Sequence, residues 1–451
     1  MNAALKQYTD LYAQQSDLIQ RQAPAVLNAA RHEALTLLTD KGLPTRRTER
    51  YKYTDVAAII APDYGLNLLR HKPAQSETKC AVPGLRTHTV YVAGDVVMPI
   101  GEAKDTAEAD GVLVMSMAEA QTAIPEVLET HYNCLSTDEP DALTALNTLL
   151  SQDGLVVVVK KGAKPQLPLQ IVNTASTRTP AMHNRRLIVI CEPQSEATLL
   201  VCDHCTANAQ TLTTQVSELF IGNGARLNIY GIEETSARCN RLHNIYARQE
   251  TESQLTLCDV TLRAGLSRTM ANVDLRGERA ETYLLGAIVA GGTQHIDNNL
   301  LVRHRAIGCH SEMLYKSVLD DESLAAFAGK VYVAQGAQQT DSQQTSANLC
   351  VSPTARVLTQ PMLEIYADDV KCNHGATVGK LDEAALLYMR QRGIPEADAR
   401  LLLQHAFVSE VIQRIGLPAL RDRLTTLVDQ RFRGESDAHC AGCGLCGLKT
   451  E

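Results

Sequence analysis

The fold of this chain is decided at residues 363–379, which read LEIYADDVKCNHGATVG. From Gly154 up to this stretch, short runs of β-strand pattern follow one another without a long helix, and after it the pattern becomes helical. In an extended strand, alternate side chains share a face, which places Cys372 and His374 together with Cβ atoms about 7 Å apart. Such a pair suits a shared metal or a thiolate–imidazolium couple. The alternative is a buried cysteine and a hydrogen-bonded histidine at a strand end.

The composition describes a soluble, folded protein with an aliphatic core. Hydrophobic residues make up 45% of the 451 residues and charged residues 21%, whereas aromatic residues contribute only 4% and tryptophan is absent. Stacked parallel strands use such a composition well, and a solenoid accommodates a chain that is too long for one ordinary compact domain. The net charge of -8 argues against nucleic-acid binding.

The sequence predicts a cytoplasmic protein that does not enter a membrane. The N-terminus shows no apolar signal core, and the longest purely apolar run, Leu155–Val159, is too short to cross a bilayer. With 13 cysteines at irregular spacing and no signal peptide, reduced thiols are favoured over disulfides.

Residues 1–153 predict an N-terminal region of helices and mixed α/β structure. The first 40 residues carry two apolar stripes at helical spacing, and a further helix is expected from Asp141 to Leu150. Short strands are expected at Thr87–Val92 and Gly111–Met115. The charged, tyrosine-rich run at residues 43–55 is interpreted as a solvated connector with its tyrosines on the surface.

Residues 154–379 predict a mainly β core. Turn signals such as Gly222-Asn223-Gly224 separate short strands, a pattern that permits a sandwich, a barrel or a parallel β-helix. The β-helix is favoured because the block is large for one sandwich, aromatic residues are scarce, and amide residues crowd residues 335–345, where polar ladders can stack. No fixed repeat length is visible. Gly222-Asn223-Gly224 lacks the third glycine and the helix of a dinucleotide loop, so we interpret it as a hairpin or solenoid turn.

Residues 380–433 predict a C-terminal helical domain. In chain order, the expected helices are Glu383–Arg392, Glu396–Ile415 and Leu417–Phe432. Asp382 suits the N-cap of the first of them. The third combines an apolar stripe with basic residues that include Arg421 and Arg423. Such a helix either packs on its own domain or presents a docking surface.

The last segment, residues 434–451, is a cysteine-rich tail. Cys440, Cys443 and Cys446 follow a C-x2-C-x2-C spacing, and the glycines around them let the backbone curl around an inorganic centre. The fourth cysteine and the proline of a ferredoxin run are absent, so three thiolates together with His439 are candidates to hold Zn²⁺ or a labile cluster. The alternative is a disordered, oxidisable terminus.

Another motif is the tetrad Cys202-Asp203-His204-Cys205, which offers consecutive ligands or nucleophile partners. It follows a predicted strand, Thr198–Val201, and a metal site needs ligands that converge from separated segments, so a structural role is favoured. The chain contains no GxSxG, HExxH or Walker motif and no paired-carboxylate constellation. That absence fits a scaffold better than an enzyme.

A family resemblance is carried by DDVKCNHGATVG at residues 368–379 and by LYMRQRGI at residues 387–394. The supporting pieces are Pro44–Thr54, residues 338–344, Asp297 and His304. With these, the chain resembles the SufD branch of the SufB/SufD family, which supplies scaffold subunits of the SUF iron–sulfur cluster assembly machinery. Gly375, where SufB-like chains have glutamate, and Asp341, where they place a cysteine, favour that branch. The tail from His439 onward departs from the family pattern.

The resemblance implies a central right-handed parallel β-helix between N-terminal and C-terminal helical domains. It implies a SufB-like partner at the β-helix end and a SufC-like ATPase at the C-terminal helices, with a homodimer as an alternative assembly. Cys372 and His374 match positions proposed to bind or pass iron between SufB and SufD. No permanently bound cofactor is expected, only transient iron or an iron–sulfur cluster.

Two other classes of function stay open beside this non-enzymatic scaffold. A thiol-dependent enzyme that uses Cys372 and His374 requires a reactive thiol with a lowered pKa. A carbohydrate-active β-helix protein requires clustered charged residues along one solenoid face and a secretion signal, and the sequence shows no such signal.

Overall fold

The computed structural model describes residues 2–71, 80–136, 140–175, 177–205 and 209–434. The helices in these ranges are α1 (Ala3–Arg21), α2 (Ala25–Lys41), α3 (Val56–Ile60), α4 (Glu102–Ala109), α5 (Met117–Ala123), α6 (Pro125–His131), α7 (Ala142–Leu150), α8 (Glu383–Gln391), α9 (Glu396–Ile412) and α10 (Pro418–Phe432), with a 3₁₀ turn at Glu49–Tyr51. The strands are β1 (Gly65–Leu66), β2 (His88–Ala93), β3 (Val96–Val97), β4 (Val112–Ser116), β5 (Leu155–Val159), β6 (Leu169–Ala175), β7 (Ala181–Cys191), β8 (Glu196–Cys205), β9 (Thr211–Ile221), β10 (Arg226–Thr235), β11 (Cys239–Gln249), β12 (Gln254–Arg263), β13 (Leu266–Leu275), β14 (Glu281–Ala290), β15 (His295–His304), β16 (His310–Leu319), β17 (Leu324–Val333), β18 (Thr340–Cys350), β19 (Arg356–Ile365) and β20 (Val370–Gly379).

The strands form a parallel β-solenoid. From β5 to β20, odd-numbered strands lie in one sheet and even-numbered strands in the other, and each strand pairs in parallel with the strand two places along the chain. Each turn therefore adds one strand to each sheet. The prediction of a mainly β chain with a parallel β-helix is confirmed, and parallel pairing between turns excludes the sandwich and barrel alternatives.

The length of the turn varies, which explains why the sequence shows no fixed period. In the even-numbered sheet, Gln254 pairs with Glu281, Glu281 with His310, and His310 with Asp341. The corresponding sequence steps are 27, 29 and 31 residues. Because the strands keep nearly constant lengths, the corners between them absorb the difference.

Corners of the solenoid need backbone conformations that glycine adopts readily. Gly222-Asn223-Gly224 connects β9 and β10, which lie in different sheets, so it is a solenoid turn and not a hairpin. Gly224 has a φ of 64°, in the left-handed region. At the corner after β13, a Cβ on Gly277 would lie 1.8 Å from the backbone nitrogen of Thr251 in the preceding turn, so only glycine fits there.

The interior of the solenoid is mainly aliphatic, as the composition predicts. Its core cluster runs from Val90 to Ala367 and consists almost entirely of Val, Ile, Leu and Ala, with Tyr315 and Phe327 as its aromatic members among the described residues. Parallel strands covered on both faces bury such side chains efficiently.

Most of the N-terminal helices pack on the odd-numbered sheet, in clusters with residues of β5, β7, β9 and β11. The connector is exposed at residues 45–49, Lys52 and Asp55, as predicted, but the interpretation of Tyr51 as a surface residue was wrong. Tyr51 is buried beneath the guanidinium of Arg268, which lies 4.1 Å from the ring centroid. Arg268 also donates to the backbone oxygen of Arg50 at 2.7 Å and lies 3.4 Å from the carboxylate of Asp297, which accepts from the hydroxyl of Thr54. Tertiary burial of a charged pair therefore fixes a segment that looked like a linker.

The C-terminal helices cover the even-numbered sheet. Their apolar residues Val408, Val411, Leu420 and Leu424 are buried in one cluster with residues of β8 to β16. The predicted helices are confirmed, although α9 ends at Ile412, and Asp382 caps α8 by accepting from two backbone amides. The apolar stripe of α10 thus packs on its own chain. Among the described residues, no helix is long and apolar enough to span a bilayer.

Candidate metal site at the end of the solenoid

Cys372 and His374 lie on β20, the last strand of the even-numbered sheet. Cys372 pairs in register with Ser342 of β18, and His374 with Gln344. Ser342 and Gln344 are both buried inside the solenoid, so the same column of positions in β20 faces the interior at its open end. The thiol of Cys372 is half-buried against the core cluster, whereas His374 is exposed. The prediction that the two side chains share a face is confirmed.

A chain of hydrogen bonds lies beneath Cys372. The hydroxyl of Ser311 bonds to that of Ser342 at 2.7 Å, and Nε2 of His304 bonds to Ser311 at 2.8 Å. Burial lowers the pKa of His304 to about 3, so its imidazole stays neutral. The hydrogen-bonded groups below the thiol of Cys372 are therefore all neutral: the hydroxyls of Ser342 and Ser311 and the imidazole of His304.

The environment of Cys372 does not activate its thiol as a nucleophile. Burial, followed by the negative charge of Asp341, raises the pKa of Cys372 above its ordinary value. Catalytic cysteines require the opposite shift. A soft metal ion can still displace the proton, because metal binding and thiol deprotonation are coupled. The local chemistry thus favours a metal ligand over a thiol-dependent enzyme.

The last turn of the solenoid is uncovered. Within the described chain, β20 has β18 as its only sheet neighbour and β19 has only β17. Ile365, Tyr366 and Val378 are exposed at this end, Tyr366 and Val378 by more than half. An unpaired sheet edge with exposed apolar side chains is a template for another strand. Cys372 and His374 therefore lie at a surface with the properties of a protein interface.

The C-terminal helices expose a second apolar surface. Leu387 and Tyr388 of α8 and Leu402 of α9 are each more than half exposed. Arg421 and Arg423, the basic residues that the sequence identified, are half-buried on α10. A partner that approached α8 and α9 would meet these apolar side chains.

Cys440, Cys443 and Cys446 lie outside the described residues.

The tetrad is split between the two faces of β8. Asp203 faces inward and pairs with Arg185 at 2.9 Å, and Cys205 forms a disulfide with Cys239, so the expectation of reduced thiols was wrong for this pair. Cys202 and His204 face outward.

Sequence reasoning missed Cys80, which approaches Cys202 and His204 from the N-terminal region. Strand alternation alone groups Cys202 with His204, but no local signal connects either of them to Cys80.

Two protein-family models match the chain, one over the N-terminal region and the other from β6 into the C-terminal helices. Residues 171–407 match the model described as "SUF system FeS cluster assembly, SufBD core domain", and residues 2–171 match the SufBD protein N-terminal region. The chain belongs to the SufBD family. The core-domain match includes the last strands of the solenoid and therefore Cys372 and His374.

Relatives of this SufBD protein cover nearly its whole length. An iron–sulfur cluster assembly SufBD family protein of Synechocystis sp. is 28% identical over 417 residues, covering 90% of this chain and 91% of the relative. The iron–sulfur cluster assembly protein SufD of Escherichia coli is 27% identical over 405 residues, covering 89% and 92%. SufD of Bacillus subtilis is 22% identical over 419 residues, covering 91% and 95%.

The family resemblance read from the sequence is thereby confirmed, together with a role in SUF iron–sulfur cluster assembly. Membership of this family is consistent with a transient association with iron or a cluster as cargo.

Proposed function

We propose that this chain is a non-enzymatic scaffold subunit of a SUF assembly complex, in which it pairs with a SufB-like subunit and a SufC-like ATPase. The observation that carries the proposal is the uncovered end of the solenoid, where the edge strand β20, paired only with β18 in the described chain, presents a thiol and an imidazole on one face. The relatives named SufD supply the context of the proposal.

The open end supplies part of a metal site. Cys372 offers a soft sulfur ligand and His374 an imidazole nitrogen, a pair that binds iron without saturating it. Because two ligands leave the coordination incomplete, the remaining ligands come from the facing subunit or from the cargo itself. Such a shared site binds iron or a nascent cluster and releases it when the two subunits separate.

Strand pairing across the interface explains why the site lies on β20. Backbone groups on the free edge of β20 form hydrogen bonds with a partner strand, and Ile365, Tyr366 and Val378 are buried by the contact. A second copy of this chain is the alternative occupant, which would give a homodimer. The mass of the purified assembly distinguishes the two.

We assign the ATPase contact to the C-terminal helices. The exposed side chains of Leu387, Tyr388 and Leu402 form the apolar part of the surface, and Arg421 and Arg423 carry the positive charge. Replacing both arginines by glutamate is expected to weaken binding of a SufC-like ATPase about tenfold or more while the far-ultraviolet circular dichroism stays unchanged. Equal affinity, measured by calorimetry, would remove these arginines from the contact.

The remaining parts of the chain receive roles by the same proposal. The β-helix core (154–379) is stabilised by the N-terminal region (1–153) and the C-terminal domain (380–433), which pack against it. The tail (434–451) binds iron, zinc or a labile cluster through Cys440, Cys443 and Cys446. The protein works in the cytoplasm and retains no permanent cofactor. Deletion of the tail should lower bound metal after anaerobic reconstitution, and an unchanged metal stoichiometry would refute the capture role.

Co-expression tests the proposed function as a whole. The chain is co-expressed with a SufB-like and a SufC-like subunit, purified through a tag on this chain alone, and analysed for subunit ratio and iron. A stable complex with both partners supports the proposal. Recovery of this chain alone, or turnover of a substrate by the isolated chain, would contradict it.

A further inference from the structure

Three side chains that can bind a metal meet on the outer face of the even-numbered sheet, and all three lie far from Cys372 in the sequence. Sγ of Cys80, Sγ of Cys202 and a ring nitrogen of His204 all lie within 4.8 Å of one another, and Nε2 of His204 is 3.2 Å from Sγ of Cys80. Cys202 and His204 come from one face of β8, and Cys80 comes from the segment before β2. Ligands thus converge from separated segments, the condition that the tetrad alone fails to meet.

The geometry fits a tetrahedral cation. Bond lengths of about 2.3 Å to sulfur and about 2.0 Å to nitrogen at a tetrahedral angle separate a sulfur from a nitrogen by about 3.5 Å. The observed 3.2 Å is close to that separation, so a cation is accommodated by a small outward shift of the ligands. Cys202 and His204 are buried, whereas Cys80 is partly exposed, so the site opens to solvent on the side of Cys80.

The surroundings of the site resemble a supporting shell for thiolate ligands. The side-chain amide of Gln170 donates to Sγ of Cys80 at 3.7 Å and to Sγ of Cys202 at 3.6 Å. The hydroxyl of Thr87 donates to Oε1 of Gln170 at 2.9 Å, which fixes the amide with its nitrogen toward the two sulfurs. N–H groups aimed at sulfur stabilise thiolates and orient them toward a metal. An apolar packing role for the cysteines explains neither contact.

We propose that Cys80, Cys202 and His204 bind one Zn²⁺ ion, with a water molecule or an external ligand in the fourth position. Two thiolates and an imidazole are a donor set that prefers Zn²⁺ to hard cations. The ion connects the segment before β2 to β8 and thereby fastens the N-terminal region to the solenoid. This site is independent of the proposed partners and of the metal pair on β20.

Cobalt substitution tests the site in the full-length chain. The background variant carries serine at Cys440, Cys443 and Cys446, which silences the tail thiols. After chelation and desalting under anaerobic conditions, Co²⁺ is titrated while thiolate-to-cobalt charge-transfer and visible d–d absorption are recorded, and Zn²⁺ is then added. We expect one equivalent of cobalt to produce both bands and Zn²⁺ to abolish them.

Variants assign the bands to residues. Cys80→Ser, chosen because Cys80 is partly exposed and its replacement should leave the fold intact, and His204→Gln should both lose the charge-transfer band or shift it strongly. Gln170→Leu should weaken Zn²⁺ binding about 10–100-fold. Cys258→Ser is the matched control, because Cys258 is a buried free thiol in the same outer cluster, and it should bind as the background variant does.

Two results would overturn the proposal. The first is a cobalt spectrum that is unchanged in the Cys80→Ser variant, which would place the metal elsewhere. The second is recovery of Cys80 and Cys202 as a disulfide by alkylation and mass spectrometry of the anaerobically purified protein. Neither result bears on the pairing with a SufB-like chain, so failure here is distinguishable from failure of the proposed function.

Discussion

Replacing Cys372 by serine and His374 by alanine separates a transfer role from a structural one. Cys372 is half-buried on a strand that has a neighbour on one side only, so the serine hydroxyl can reach water and no closed cavity forms. His374 is exposed, and surface substitutions change stability by about 0.5 kcal/mol or less. The double variant should therefore lose at most about 1–2 kcal/mol of unfolding free energy.

The assay pairs stability with output. Urea unfolding of the isolated chain gives the free energy, and cluster loading of an apoprotein by the complete SUF system gives the output, which should fall strongly in the double variant. Cys350→Ser is the matched control, because Cys350 is also half-buried against the solenoid core near the open end. It should cost similar stability and leave output normal. Normal output from the double variant, or a loss far above 2 kcal/mol, would refute the reasoning.

Two further predictions concern buried charges. Asp297→Asn leaves the buried guanidinium of Arg268 without its counter-charge and should cost about 3 kcal/mol of unfolding free energy. The control Arg279→Met breaks an exposed ion pair and should cost less than about 1 kcal/mol. Equal costs in urea unfolding would contradict this prediction. Burial raises the pKa of Asp259 from 3.8 to about 6, against the opposing charge of Arg241. As pH rises, Asp259 therefore ionises at a lower pH in the unfolded chain than in the folded one, and the free energy of unfolding falls between about pH 4 and 6. Asp259→Asn should stabilise the protein by about 3 kcal/mol at pH 8 and give no gain below about pH 4. A gain that does not depend on pH would show that ionisation is not its cause.

Most of the architecture could be predicted from local sequence patterns. The change from strands to helices falls at Gly379, where the last strand ends and Asp382 begins the capping of α8. Strand alternation alone grouped Cys372 with His374, because the period of a strand is two residues and needs no knowledge of the partner strand. The aliphatic composition indicated a solenoid for a similar reason, because composition does not depend on which residues are in contact.

Features that depend on long-range contacts could not be read from local patterns. Tyr51 looked solvated because its neighbours are charged, yet Arg268, more than two hundred residues away, covers its ring. Cys80 carries no motif and becomes a candidate ligand only when the fold brings it to His204. The repeat was hidden because the corners vary in length while the strand register is preserved.

Hydrogen exchange on β20 tests the central claim most directly. The isolated chain and its mixture with a SufB-like subunit are compared by mass spectrometry over residues 370–379, with the interior strand β12 (Gln254–Arg263) as internal reference. If the open end of the solenoid is the partner interface, the amides on the free edge of β20 exchange fast alone and are protected in the mixture, while β12 is unchanged. Equal exchange in both samples, with the chain remaining a monomer at high concentration, would contradict the account.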